Sequence, residues 1–472
     1  MDLGRSTLKV LVARTANAFV FFGAITYFTR TLPADRVSAF FLYLALIGLL
    51  SIPADVGMRG ALEKRLSEGD APGETLGSAL AFKAVTLAVV CVAVLALGPL
   101  IESALGMPFT GLLVAGLVAQ ELGRTYLSVV RGELRVGDTA PIELVRRVVW
   151  VGIAVTLVSR GWGVRGILIG HVVGRTVEFC WAFLHCRTPI GRPSVEQIRS
   201  LFAFSKYQTV TSVGGRVYQW MDVVIIGLLL SGTYVSAYEV AWQVTLLVLL
   251  LSKSIELNIF PQISRWDSEA STERIESTIS RAVGIVLFVS VPALVGAAIY
   301  AEEVLSLFFG PEYVIASVVL VILMAEKTFQ SYNDIVGTSI RALDRPDLSA
   351  KAIVVSVGLN LVASPLLILT IGFEGAALAT GGAWFVNALM QTRYLSRFVE
   401  LTFPVRLVGW YAVASLAMAG VLLAIRQVVP VDGLVVLLAQ VALGVCVYLA
   451  VSAAIPRVRD SVIAPGMSVV RG

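Results

Sequence analysis

Apolar runs of about twenty residues recur along this 472-residue chain, and a run of that length is what crosses a hydrocarbon core of about 30 Å as a helix. They lie near 8–29, 37–54, 76–101, 109–130, 142–158, 164–184, 207–230, 235–263, 279–300, 313–340, 350–371, 375–395, 405–425 and 434–455. Backbone groups inside lipid must be satisfied within their own segment, so such runs become helices. The pattern predicts an all-α polytopic membrane protein with about fourteen transmembrane helices. The run at 235–263 is long enough to tilt, kink or continue past the bilayer. Composition agrees, with 57% hydrophobic and only 15% charged residues. A soluble domain carries about 25% charge. Secreted disulfide scaffolds, disordered chains and ordinary cytosolic enzymes are thereby excluded, and the classes that remain are mostly transporters.

Cys91, Cys180, Cys186 and Cys446 fall in apolar stretches without metal-ligand spacing and read as small buried hydrophobes. His171 and His185 are the only histidines, too few for a histidine metal site or a Ser-His-Asp triad. No G-x-x-x-x-G-K-[ST] loop occurs, so neither ATP hydrolysis nor any cofactor is expected. The net charge of +5 resides in short loops between apolar runs, which argues against a nucleic-acid partner. Arg5 and Lys9 precede an apolar run with no small-residue cleavage site, which reads as a retained first helix.

Basic residues are retained on the cytoplasmic side of a membrane. Counted in alternate loops, Lys and Arg number 23 on one side and 5 on the other. That asymmetry predicts a multi-pass protein of the cell membrane with both termini cytoplasmic. The outer loops, about a dozen residues or fewer, leave no room for the large outer domain of a membrane glycosyltransferase or polymerase.

An internal repeat is visible. Val37-Ser38-Ala39-Phe40 returns as Val235-Ser236-Ala237-Tyr238 at an offset of 198, and Gly163-Val164-Arg165-Gly166 is echoed by Gly372-Phe373-Glu374-Gly375 at 209. A repeat of six helices, an even number, predicts two lobes related by an axis along the membrane normal. The expected organisation is a six-helix lobe over 1–186, a cytoplasmic linker over 187–206, a second lobe over 207–400, and two extra helices with a tail over 401–472.

Five short motifs occur in order. They are Asp55-Val56-Gly57-Met58, Phe260-Pro261-Gln262-Ile263-Ser264, Phe309-Gly310-Pro311-Glu312-Tyr313, Ala342-Leu343-Asp344-Arg345-Pro346-Asp347, and Asn360 followed by Gly372-Phe373-Glu374-Gly375-Ala376-Ala377. Together they resemble the Wzx-type polysaccharide flippases of the multidrug/oligosaccharidyl-lipid/polysaccharide exporter superfamily. The resemblance implies two lobes around a cavity that opens alternately to each side, with the first and seventh helices facing each other. It also implies a lipid-linked oligosaccharide as cargo. The drug and toxin extrusion relatives have twelve helices rather than fourteen.

Charge within a bilayer is costly and usually faces a cavity or a partner. Arg14 lies about 6 residues into the first helix, roughly 9 Å along it, and Arg216 about 9 residues into the seventh. Arg offers phosphate a planar fork of donors, so both are candidate substrate contacts, with Lys83, Lys327 and Asn17 extending the same surface. Pairs at i,i+3, namely Arg175 with Glu178, Lys253 with Glu256 and Glu121 with Arg124, are expected to neutralise each other. Asp222 and Glu239, with no opposite charge three or four places away on their helices, are the candidates for ion coupling. The leading expectation is a flippase, not an enzyme, that carries a polyprenyl-type phosphate- or diphosphate-linked oligosaccharide from the cytoplasmic to the outer face. Its partners would be that substrate, membrane lipid and glycan-assembly enzymes. The alternative is an ion-coupled exporter of small amphipathic molecules, of the multidrug and toxin extrusion type.

Overall fold

A computed structural model of the chain describes residues 3–69, 71–105 and 108–459, with side chains described for all of these except 3–15, 104–105, 204, 206–212 and 257. The described residues form helices and turns, with no strand among them. The chain divides into two compact units, Met1–Ser236 and Ala237–Gly472.

The first unit holds α1 (Leu3–Thr31), α2 (Ala34–Asp55), α3 (Met58–Glu68), α4 (Pro72–Ala96), α5 (Gly98–Leu105), α6 (Thr110–Gly132), α7 (Val136–Ser159), α8 (Gly163–His185) and α9 (Val195–Leu229). α10 (Gly232–Thr245) straddles the division. The second unit continues with α11 (Leu249–Ser268), α12 (Thr272–Phe308), α13 (Ser317–Ala342), α14 (Pro346–Ile371), α15 (Glu374–Leu395), α16 (Val405–Val428), α17 (Leu434–Ala454) and the short α18 (Pro456–Val458).

Each of the fourteen apolar runs lies on these helices. Among the described residues, nine helical stretches are long and apolar enough to cross a membrane. α6, α7 and α9 fall short of that measure. They carry Glu121, Arg124, Glu143, Arg146, Arg147 and Arg216, which belong to the site below, and Asp222, which does not line it. The chain is a multi-pass membrane protein. α4 shows the inverted pattern that lipid imposes: Val85, Val89 and Val92 are about two-thirds exposed, while Lys83 on the same helix is 1% exposed.

Local sequence explains where the helices depart from the expected runs. The run at 76–101 breaks at Leu97, between α4 and α5. The run at 235–263 is interrupted by a 3-10 turn at Leu246–Val248, between α10 and α11. Within the segment expected as a linker, α9 is already helical from Val195. The stretch before it is tied down: Gly191 N–H donates to Gly73 O at 2.8 Å, and Ser194 N–H to Ser78 Oγ at 2.9 Å. All four cysteines are free thiols and none is buried as expected: Cys91 and Cys186 are half-buried, and Cys180 and Cys446 are exposed. They sit on α8 and α17 in membrane helices, where the solvent is lipid and an exposed apolar thiol costs little.

α7 and α8 pack closely because α8 presents glycines. A Cβ on Gly170 would lie 2.8 Å from the Trp150 carbonyl oxygen, and one on Gly174 would lie 2.8 Å from that of Arg146. Beneath them Trp150 stacks on Phe40 at 5.7 Å and meets His171 edge-on at 6.3 Å, and Tyr43 Oη lies 3.2 Å from His171 Nδ1. In the second unit α16 and α17 are fastened to α12. Tyr300 Oη donates to Gln440 Oε1 at 2.7 Å, and Tyr448 Oη to the Phe288 carbonyl at 2.9 Å.

One turn is built twice. After α6, Leu134 adopts φ 59° and Arg135 N–H donates to Val130 O at 3.2 Å; after α13, Asp344 adopts φ 57° and Arg345 N–H donates to Ile340 O at 3.2 Å. The offset of 210 is within one residue of the second echo in the sequence.

Gly174→Ala is expected to force α8 away from α7, at a cost of about 1–3 kcal/mol from overpacking. Denaturation in detergent measures it, with Gly152→Ala as the control, because a Cβ on Gly152 meets nothing within 4 Å.

Candidate functional site

Four helices of the first unit converge on a buried charge cluster. α2 ends because Val56 and Gly57 both take positive φ, 47° and 72°, and this break sets Asp55 beside α3 and α4. Lys83 Nζ lies 2.6 Å from Asp55 Oδ1 and 2.9 Å from Glu121 Oε2. Arg59 Nε lies 2.9 Å from the same Asp55 oxygen, and its Nη2 lies 3.9 Å from Glu121 Oε1. Two cations and two carboxylates thus neutralise one another out of water. That arrangement costs several kcal/mol if one partner is removed.

Beside the cluster is a cavity of about 510 Å³. It is lined by seven guanidiniums, those of Arg59, Arg124, Arg131, Arg146, Arg147, Arg175 and Arg216, against the carboxylates of Glu63, Glu143 and Glu178. Glu178 serves two arginines at once, with Arg146 Nε at 2.6 Å and Arg175 Nη1 at 3.0 Å. Gly123 permits this, since a Cβ there would lie 3.1 Å from Glu178 Oε1. Arg131 pairs with Glu143 at 2.8 Å. Arg147 donates through Nε to Asn17 Oδ1 at 3.0 Å, and its guanidinium carbon lies 4.6 Å from the Phe21 ring centroid. A concave surface with this many guanidiniums is suited to a phosphate or another multiply charged anion.

Of the residues singled out in the sequence, Arg216 lines the cavity and Asn17 reaches it through Arg147. The Arg14 side chain lies outside the described residues. Lys83 sits behind the cavity in the neutral cluster. Lys327 belongs to the second unit, where its Nζ lies 2.6 Å from Glu326 Oε2, 3.0 Å from Gln330 Oε1 and 3.3 Å from the Trp242 ring centroid. Asp222 and Glu239 are buried but do not line the cavity, and Glu239 accepts a 2.7 Å bond from Gln243.

Arg175 pairs with Glu178, and Lys253 with Glu256, as the spacing predicts. The pairing expected between Glu121 and Arg124 is absent, because Glu121 turns to Lys83 and Arg59 while Arg124 lines the cavity. Sequence reasoning also passed over Arg146 and Arg147. The signal was present, since two adjacent arginines interrupt the apolar run at 142–158.

The family model described as polysaccharide biosynthesis protein matches residues 38–318. A curated relative from Haloferax volcanii, the probable low-salt glycan biosynthesis flippase Agl15, is 40% identical over 98% of this chain and 98% of its own. The chain belongs to the polysaccharide biosynthesis protein family. A second relative from Haloferax volcanii, the probable flippase AglR, is 28% identical over 94% of each chain. The fold of this family member is shared with a solved structure, that of lipid II flippase MurJ in an inward closed conformation. The TM-score is 0.80 at 16% identity, covering 96% of this chain and 98% of that one. The superfamily resemblance carried by the motifs is borne out.

Two outcomes follow from the geometry. Lys83→Met leaves Asp55 and Glu121 buried without their shared ammonium and should cost about 3–5 kcal/mol by denaturation. Outside the membrane helices, burial alone would push the Glu133 carboxyl up. Four donors, the N–H groups of Arg187 and Thr188, the Thr188 hydroxyl and the Arg135 guanidinium, hold it below the usual carboxylate range instead. A depressed carboxylate stabilises the fold above its unfolded pKa and loses that contribution as pH falls through the folded value. Thermal melts from neutral to acid pH should therefore fall less steeply for Glu133→Gln than for the parent.

Proposed function

We propose that this protein is a flippase for a lipid-linked oligosaccharide, moving the polar head from the cytoplasmic to the outer face of the cell membrane by alternating access. The observation that carries the reading is the arginine-lined cavity of the first unit. It is joined by family membership and by the printed names of the relatives, two of which are called flippases. Bringing phosphate and sugar hydroxyls through hydrocarbon costs several kcal/mol for each unsatisfied group. A cavity that already holds cations and hydrogen-bond donors removes much of that cost while the lipid tail stays in the bilayer.

The remainder of the proposal follows the charge pattern. Both termini lie in the cytoplasm on the basic side of about fourteen crossings, and the two repeats form two six-helix lobes. Arg216 and Arg147 contact the head group, Asn17 orients Arg147, and Arg14 adds a further cation from the first helix. Lys83 and Lys327 hold their lobes' charge clusters in place. Asp222 and Glu239 are the carboxylates through which an ion gradient could drive the cycle. The protein acts as a transporter and makes or breaks no covalent bond. An exporter of amphipathic cations would need an acidic cavity, the reverse of the seven guanidiniums here.

A deletion strain should accumulate lipid-linked oligosaccharide on the cytoplasmic side and lose surface glycan. Re-expression of Arg147→Ala or Arg216→Ala at normal protein level should fail to restore display by at least tenfold. Full restoration by both variants would overturn the assigned contacts, and an unchanged lipid-linked pool in the deletion strain would overturn the cargo.

A further inference from the structure

We infer that the second unit binds an anionic membrane lipid, with one chain in an apolar cavity between α12, α13, α15 and residues 401–404, and the head group on exposed arginines at its rim. The inference goes beyond the flippase reading and does not rest on it.

The cavity comes from a difference between the two repeats. In both units the segment after the sixth expected crossing returns across the third, and the same contact holds it there. Ser78 Oγ donates to the Ser194 carbonyl at 3.3 Å, and Ser280 Oγ donates to that of Thr402 at 3.3 Å. The offsets, 202 and 208, lie within the 198–210 span of the repeat. In the first unit glycines close the contact. A Cβ on Gly77 would lie 2.0 Å from the Gly191 carbonyl oxygen, and Gly191 N–H reaches Gly73 O directly. The second unit has Ile279 where the first has Gly77. There Glu276 holds the segment off through its side chain, with Oε1 accepting the Glu400 N–H at 2.6 Å. The stand-off leaves a cavity of about 210 Å³.

Its lining selects the guest. Ile279, Val283, Val336, Leu401 and Phe403 supply apolar walls. The wall hydroxyls are already engaged: Ser280 with the Thr402 carbonyl, Tyr332 with Thr392 Oγ1 at 2.7 Å, and Thr392 with the Ala388 carbonyl at 2.7 Å. A sugar would find few partners there, whereas an aliphatic chain needs none. An apolar cavity of about 150 Å³ is enough to bind benzene. Phe403 and Val405, 48% and 67% exposed, carry the apolar surface outward from the mouth.

Charge at the rim selects the head. Arg281 directly follows Ser280, Arg393 follows Thr392, and Arg406 stands two residues beyond Pro404; with Arg397 they are exposed. None of the four makes an ion pair or hydrogen bond with a described residue. Against them stand three carboxylates without ion pairs on the same segments, Glu273, Glu276 and Glu400, and Glu276 is occupied by the Glu400 N–H. The balance is positive, on the basic side of the chain, where arginines attract anionic lipid heads. Residues 401–404 lead into α16, so a lipid seated here also fastens the start of the two extra helices.

The test uses the full-length protein in detergent and three probes: phosphatidylglycerol, phosphatidylcholine with the same chains, and glycerophosphoglycerol, the first head without chains. Phosphatidylglycerol should be retained at least tenfold more than the other two, read as lipid bound per protein, and should raise the melting temperature. Val336→Phe fills the cavity and Thr402→Trp blocks its mouth, and each should lower retention at least tenfold. Val354→Phe, on an exposed face of α14, should not. Arg393→Gln combined with Arg406→Gln should bring phosphatidylglycerol down to the level of phosphatidylcholine. Equal retention of the two lipids by the parent would overturn the anionic head, and equal binding of glycerophosphoglycerol would overturn the seated chain. Unchanged retention in both cavity variants, with melting temperature confirming the fold, would overturn the site. Tight retention gained only on truncation after Arg459 would give the cavity to residues 460–472 and overturn the lipid. The flippase reading stands or falls separately, on the glycan profile of the deletion strain.

Discussion

A guanidinium or ammonium held away from water must find a counter-charge or define a place for one, and the first unit is organised around that requirement. Its inner layer satisfies the requirement internally, with Lys83 and Arg59 held between Asp55 and Glu121. Its outer layer does so in part, with one Glu178 shared by two arginines. The gradient from neutral interior to positive cavity gives the site its direction. An anion entering the cavity meets donors whose own carboxylates are already engaged or absent, and the charge behind them is fixed by helices from four parts of the chain.

The same positioning depends on uncharged contacts. Arg146 reaches Glu178 because α7 and α8 approach closely at Gly170 and Gly174, and Glu178 fits beside α6 because residue 123 has no side chain. Trp150, one turn beyond Arg146, anchors α7 in the aromatic layer formed with Phe40 and His171. Small residues thus set helix spacing, aromatics set helix rotation, and together they decide which charged groups face the cavity. Close packing through small residues is the usual means of association in lipid, where helices gain little by burying apolar surface against each other.

How much of this was legible in the sequence follows from what each signal measures. Hydropathy marks a helix by what it can present to lipid, so the fourteen runs were readable and even the 3-10 interruption near Leu246 falls in an overlong run. The repeat was readable because turn geometry is local, as the matching positive φ at Leu134 and Asp344 attests. Charge pairing was readable only along one helix. Arg175 with Glu178 obeyed the i,i+3 rule, but Glu121 found its partners on α3 and α4, and Arg124 was left to the cavity. The pair Arg146-Arg147 was passed over because a helix tolerates two charges without losing its apolar appearance, and their meaning lies in α1 and α8, which sequence spacing does not bring near.

The contact between Lys83 and Asp55 has a consequence for how the protein is made. The two residues belong to consecutive long helices, α2 and α4, only 28 positions apart. A nascent hairpin of these helices can therefore bring the ammonium to a carboxylate before α6 has been synthesised. Arg59, made before Lys83, already pairs with that carboxylate, so the hairpin carries one positive charge until Glu121 on α6 completes a neutral quartet. Burial of Lys83 is in this way tied to the arrival of α6, and the polar interior becomes neutral only in that later step.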